Sequence, residues 1–317
     1  MSEPRACPQC LRRSWLLALL GPYIEQSYCA APGPPTSELL RLGNEGLAAA
    51  VAPKVAAHLL ARVEAMSGDQ LERELFAARC WGCCHHHPLY PQALRELPDA
   101  PWALIGRGDH KHLEKIARDP VITVVGTRRA SPYGREVARE LGRELAASEK
   151  VVVSGLAFGI DSCAHRGALE SGLTVAVLGC GADTAYPAAH RPLWHQICER
   201  GLVISEFSPG TPPWRWAFPA RSRIMAALAG MTVVVEAAEH SGSLVTARIA
   251  TDLGRDLGAV PGPVNARCSV GTNDLLAKGA TVVRNAQDVL EAMGARPRLA
   301  VAQGQALDPV PQAPDRQ

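Results

Sequence analysis

Between Val121 and Gly279 the sequence repeats one pattern: a short apolar run, a turn rich in glycine and hydroxyl residues, then a segment with helical spacing of apolar side chains. Alternation of this kind specifies a parallel sheet, since each parallel connection needs a crossover and the helices cover both sheet faces. The periodicity predicts strands at 121–125, 151–153, 174–178, 202–205, 232–236, 257–260 and 281–283, and helices near 134–147, 160–171, 189–199, 222–229, 243–253 and 286–293. The expected fold class is α/β, a doubly wound, mostly parallel sheet. Ligands of such sheets sit beyond the carboxyl ends of the strands. The turns there read Gly126-Thr127-Arg128, Ser154-Gly155-Leu156-Ala157-Phe158-Gly159, Gly179-Cys180-Gly181 and Ser241-Gly242-Ser243. Each offers small residues and backbone N–H donors at the positive end of a helix, which suits a ligand carrying several phosphates.

At 317 residues and 47% apolar content the chain can bury such a core with residues to spare. Residues 1–84 form a small all-helical N-terminal unit, with Leu, Ala and Val at three- and four-residue spacings over 11–20, 37–50, 53–66 and 68–79. Residues 85–120 form a connecting segment whose prolines favour extended chain, 121–293 the main domain, and 294–317 a Pro-, Ala- and Gln-rich tail expected to be disordered. The net charge of +2 excludes a globally basic coat for nucleic acid but permits a local basic groove.

Arg12-Arg13 ahead of Trp15–Leu20, with Cys29-Ala30-Ala31 beyond, imitates a secretory leader, but Gly21-Pro22 breaks the apolar run and Glu25 intrudes. No stretch approaches the roughly 20 apolar residues of a membrane span, and the chain is expected in the cytoplasm. Its ten cysteines are then expected as reduced thiols. Five of them fall in Cys7-Pro8-Gln9-Cys10 and Cys80-Trp81-Gly82-Cys83-Cys84, whose two CxxC pairs have ligand types and spacings suited to zinc, although the interval between the pairs is long for a compact zinc ribbon. The plainer reading, taken here, is thiols without a metal beside an incidental His85-His86-His87 run, and no cofactor is expected.

The turn Gly126-Thr127-Arg128-Arg129-Ala130-Ser131 lacks the GxGxxG of a dinucleotide site and puts a guanidinium at its centre, suited to bidentate contact with phosphate. The alternative is that Arg128 caps the sheet edge by pairing with a carboxylate such as Asp161. Asp161 itself suits an N-terminal helix position, and His165, one turn on, has no nucleophile to activate and reads as a packed or solvated residue. The loop 207–223 holds Arg215, Arg221 and Arg223 and no acid, interleaved with Phe207, Trp214, Trp216 and Phe218. Guanidiniums can follow a phosphate backbone while aromatic rings stack bases, each stack worth about 1–3 kcal/mol. The same rings can instead anchor a long loop.

With these residues in view, the chain resembles the DNA processing protein A family (DprA, also called Smf) over roughly residues 85–293. The motifs include Tyr90-Pro91, Gly126-Thr127-Arg128-Arg129-Ala130-Ser131, Ser154-Gly155-Leu156-Ala157 with Gly159-Ile160-Asp161, Tyr186-Pro187, Phe218-Pro219-Ala220-Arg221, Ser241-Gly242-Ser243, Val260-Pro261-Gly262 and Gly271-Thr272-Asn273. The resemblance implies a Rossmann-like domain that binds single-stranded DNA, performs no bond chemistry, protects incoming strands in natural transformation, dimerises, and loads the RecA recombinase onto DNA coated by single-strand-binding protein. It places the basic pocket at Arg128, Arg191 and Arg215, with Arg221 and Arg223 on the same rim. The expected DNA-binding set is completed by Gly126, Thr127, Ser131, Ser154, Gly155, Gly159, Gly181, Ser241, Gly242, Ser243 and Asn273. The chain departs from the family pattern at Phe158, where an arginine is frequent, at His190 and at Ser222, where asparagine is usual. The tail is too short for the winged helix that many members carry, so double-stranded DNA binding through such a domain is not expected.

Two other readings use the same turns. A nucleotide phosphoribohydrolase of related fold would employ Glu206 and Glu236 at strand ends, but its contiguous Pro-Gly-Gly-x-Gly-Thr turn is split here between Pro261-Gly262 and Gly271-Thr272. A small-nucleotide sensor would bind one mononucleotide where a mediator binds a strand.

Overall fold

The computed structural model describes residues 3–30, 36–119 and 121–294, so the tail expected to be disordered lies outside the described residues apart from Gly294. Nine strands form one sheet: β1 (Trp81–Cys84), β2 (Ala103–Gly108), β3 (Val121–Val125), β4 (Val152–Ser154), β5 (Thr174–Leu178), β6 (Leu202–Ser205), β7 (Ala229–Val234), β8 (Asp256–Ala259) and β9 (Thr281–Val282). Their order is β1-β2-β6-β5-β4-β3-β7-β8-β9. The β1–β2 and β2–β6 pairs are antiparallel and the rest parallel.

Fourteen α-helices accompany the sheet among the described residues. Five precede it: α1 (Pro8–Ala30), α2 (Thr36–Arg41), α3 (Asn44–Val51), α4 (Ala56–Glu64) and α5 (Gly68–Ala77). The others are α6 (Gln92–Arg95), α7 (Lys111–Arg118), α8 (Pro132–Ala147), α9 (Ile160–Ser171), α10 (Arg191–Arg200), α11 (Ala217–Leu228), α12 (Ser243–Asp252), α13 (Val270–Ala277) and α14 (Ala286–Ala292). None is long and apolar enough to cross a membrane.

Strand periodicity decides where each side chain goes. Val121, Val125, Val153, Val175, Val177 and Ile204 face one core, covered by α6, α7, α11 and α12 through residues such as Leu94, Ile116, Met225 and Ala247. The alternate residues face the opposite side. There Ile122, Val124 and Val152 pack under α8, α9 and α14, while Ala103, Ile105, Ala176 and Val203 pack under α10 and the N-terminal helices, with Leu11, Leu16, Leu17 and Leu20 of α1 buried. The helical residues ahead of the sheet thus cover the apolar surface that the two antiparallel strands add to it. The segment 85–120 holds more regular structure than its prolines imply, since it carries α6, β2 and α7.

Candidate functional site

Strands β3, β4, β5 and β6 step outward in one direction, whereas β7 returns to pair with the other side of β3. The loops after β3 and β7 therefore part, leaving the crevice that doubly wound sheets open where strand order reverses. A cleft of about 530 Å³ lies there. One wall is the turn Gly126-Thr127-Arg128-Arg129 after β3; the facing wall is Ser241-Gly242-Ser243 ahead of α12; and Phe218 and Arg221 of α11 line it too. A smaller cavity of about 70 Å³ adjoins it, sharing Arg128, Ala157, Phe218 and Arg221 and adding Gly155, Phe158 and Tyr186.

Two guanidiniums flank one ring: Arg128 Cζ lies 5.4 Å and Arg221 Cζ 5.3 Å from the Phe218 centroid, while the Tyr186 ring lies 5.6 Å from it. Arg128 is exposed and makes no ion pair among the described residues. Arg221 is buried; its Nη1 donates to the carbonyls of Gly155 and Val177, the latter at 3.1 Å. Glycine at 155 leaves room for this guanidinium, since a Cβ there would fall 2.5 Å from Arg221 Nη2 and push it aside. Burial raises the Asp161 carboxyl above its ordinary value, and Arg221 only partly offsets this. The same burial lowers the Arg221 pKa against the pull of Asp161. Gly159, at φ +78°, holds the loop after β4 against the turn after β3, where a Cβ would approach the Thr127 carbonyl to 2.3 Å.

Of the residues expected at the site, Gly126, Thr127, Arg128, Gly155, Arg221, Ser241, Gly242 and Ser243 line these two cavities. The others stand elsewhere. Ser131 caps α8 by accepting from the Gly134 N–H, and its own N–H and hydroxyl donate to Glu236. Ser154 is buried and donates to the Val124 carbonyl at 2.6 Å. The Gly181 N–H donates to the Thr211 carbonyl, and Asn273 exchanges hydrogen bonds with both backbone groups of Gly262. Arg191 is exposed at the start of α10, outside both cavities.

The long aromatic loop differs most from its sequence reading. Arg223 is 4% exposed, grips both Glu206 oxygens at 2.8 and 2.9 Å and pairs with Asp99 at 3.0 Å, so its donors face inward. Trp216 is fully buried and donates to the Gly21 carbonyl, and Trp214 packs so closely on α1 that a Cβ on Gly21 would clash with its ring. These indoles anchor the loop to α1. The Arg215 N–H donates to Glu25 at 2.9 Å while its side chain stays exposed. Sequence reasoning passed over Tyr28, from the far end of α1, and Arg129, both of which line the larger cleft. Arg129 stood in the quoted turn, whereas nothing local to Tyr28 marks it. His165 is fully buried, and burial depresses its pKa to about 3, which makes it a neutral packing residue.

Among the thiols, Cys80 and Cys83 face different cores and neither meets Cys7 or Cys10. The pairing of Cys7 and Cys10 with Cys80 and Cys83 is therefore replaced: Cys84 and His86 meet them instead.

A family model described as DNA recombination-mediator protein A matches residues 82–294, from β1 to just past α14. The chain belongs to that family. The DNA processing protein DprA of Streptococcus pneumoniae is 42% identical over 202 residues, 63% of this chain and 70% of that one. A DprA relative in Mycobacterium tuberculosis is 49% identical over 172 residues, 54% of this chain and 44% of that one, so the chain spans less than half of the mycobacterial protein's length. The solved S. pneumoniae DprA superposes with a TM-score of 0.70 at 32% identity, covering 90% of this chain and 98% of that one. DNA processing protein A of Helicobacter pylori, whose structure is described for its single-stranded DNA binding mode, superposes with a TM-score of 0.59 at 33% identity over 64% of this chain and 92% of that one.

Proposed function

We propose that this chain binds single-stranded DNA in the crevice between the β3 and β7 loops and acts in the cytoplasm as a recombination mediator of natural transformation. It protects incoming strands and, as a homodimer, loads the RecA recombinase onto DNA coated by single-strand-binding protein. The observation that carries the reading is the exposed Arg128 beside a ring that Arg221 also flanks, facing the Ser241-Gly242-Ser243 turn across an open cleft. A phosphate meets a guanidinium, hydroxyls and backbone N–H groups there, and the Phe218 and Tyr186 rings lie within reach of a base. The family and the strand binding of the H. pylori relative support the same reading.

No bond chemistry is assigned to the cleft. Glu206 is paired with Arg223, Glu236 accepts from the Ser131 N–H and hydroxyl, and neither carboxylate lines the cleft where a nucleotide would have to sit. Release of free base from a nucleoside monophosphate would contradict this. The direct test is fluorescence anisotropy with oligothymidylates of increasing length. Affinity should rise with length to a plateau, and saturation by a mononucleotide would instead establish a small-nucleotide sensor. Loading is tested by RecA filament formation on strands coated with single-strand-binding protein, which the chain should accelerate.

A further inference from the structure

We propose that Cys7, Cys10, Cys84 and His86 form a zinc site that clasps the start of α1 to the end of β1. Their ligand atoms all lie within 4.8 Å of one another. His86 Nδ1 stands 3.5 Å from Cys7 Sγ, 3.7 Å from Cys10 Sγ and 3.8 Å from Cys84 Sγ. A tetrahedral zinc ion, with bonds of about 2.3 Å to sulfur and 2.0–2.1 Å to imidazole nitrogen, sets sulfur and nitrogen neighbours roughly 3.6 Å apart. The three sulfur–nitrogen edges already have that length, and the sulfurs need to contract by about 1 Å at most.

Local structure explains why these four residues converge. Along β1 the side-chain period sends Cys83 to the core under α6 and α7 and Cys84 to the opposite face, where α1 lies. The chain before α1 runs beside this edge strand, with the Cys84 N–H donating to the Arg5 carbonyl and the Cys7 N–H pointing at Cys84 Sγ at 3.4 Å. An N–H aimed at sulfur stabilises the thiolate that a metal requires and orients its lone pairs. The two-residue spacing then returns Cys10 to the same point on the first turn of α1. Arg95 braces the following loop by donating to the His85 and His87 carbonyls, which fixes the direction of His86 between them. His86 and not His85 is the fourth ligand, because His85 lies outside the group of converging ligand atoms: its Nδ1 is 3.9 Å from Cys10 Sγ and donates to the Trp102 carbonyl at 3.2 Å, whereas His86 Nδ1 meets all three sulfurs. Three thiolates and one imidazole are a donor set for zinc and not for the hard cations magnesium or calcium.

The site joins two parts of the chain far apart in sequence, and metal binding should stabilise that junction. Full-length untagged protein, purified under reductant without chelator, should carry about one zinc per chain by elemental analysis. Replacing zinc with Co²⁺ should give the intense visible bands of tetrahedral cobalt with sulfur-to-metal charge transfer. Cys7→Ser with Cys84→Ser should lower zinc to below about a tenth of an equivalent. His86→Cys should retain one equivalent with a shifted cobalt spectrum, and Cys268→Ser, outside the cluster, should match the parent. Chelation should lower the melting temperature of the parent and added zinc should restore it. Should the double variant fail to fold, the parent's metal content and cobalt spectrum decide alone. Folded parent protein that takes up no zinc or cobalt under reductant, or that holds Cys7 and Cys10 as a disulfide, would overturn the proposal, as would a tetrahedral cobalt spectrum surviving in the double variant.

Discussion

Two basic segments border the same sheet edge, the turn after β3 and the loop that leads from β6 into α11, and they use their arginines in opposite ways. Arg128 projects from a four-residue turn into an open cleft with no ion-pair partner among the described residues. Arg223 belongs to a stretch with more basic and aromatic residues, yet it lies inside, between Glu206 and Asp99. Charge density along the chain therefore does not identify a ligand-binding arginine. What matters is whether an acid lies within reach once the chain is folded.

The largest effect expected from this contrast is on the buried side. Arg223→Ala leaves two carboxylates desolvated and unpaired, which should cost about 3–5 kcal/mol of stability. Urea denaturation will measure it, and a loss below about 1 kcal/mol would show that the pair is not the internal strut described here. His165 gives the buried half a pH signature. Its folded pKa, about 3, lies below the unfolded value near 6.5, so the unfolded state binds the extra proton between those limits. Stability from this group is complete above about pH 6.5 and falls by about 1.4 kcal/mol per pH unit as the pH drops through that window. His190 and Arg221, the neighbours that further depress it, stay in place in a His165→Gln variant, whose stability should depend less steeply on pH between 6 and 4.

Smaller effects are expected on the open side, and they concern binding. Arg128→Ala should weaken single-strand affinity about tenfold whatever the sequence, lower the log–log salt slope by about 0.7, and leave stability within about 0.5 kcal/mol of the parent. An unchanged salt slope would remove Arg128 from the interface. The smallest change should come from Phe158→Arg at the rim of the smaller cavity, where the parent ring is 44% exposed against His190. It should raise affinity a few-fold and steepen the salt slope by about 0.7, through one added phosphate contact.

These contrasts mark how far the sequence could be read. β3, β5 and β6 follow the expected ranges because strands buried on both faces appear as short unbroken apolar runs. β1 and β2 were not expected as strands because they are short antiparallel additions to a parallel sheet, β1 at its edge and β2 preceded by prolines, and their apolar residues gain meaning only once the N-terminal helices cover them. α11 starts at Ala217, five residues ahead of expectation, because Pro219 falls in its first turn, where a missing N–H costs no helical hydrogen bond. α13 was hidden by Gly271-Thr272-Asn273, which reads as a turn. At the site, the turn after β3 was legible because its donors are local. The fate of Arg223 was not, because its partners lie 17 and 124 residues away. Cys84 and His86 were obscured for a related reason, since only the facing of β1 distinguishes Cys84 from Cys83.

The central claim is that a strand lies in the crevice between the β3 and β7 loops, and photocrosslinking tests it most directly. An oligothymidylate carrying a photoactivatable thymine analogue, irradiated with the full chain and mapped by peptide mass spectrometry, should crosslink to the segment 126–131 or to peptides containing Phe218 or Tyr186. Mononucleotide should not protect them at the same concentration. Crosslinks confined to α2–α5 or to the outer face of α10, with none around the cleft, would contradict the account.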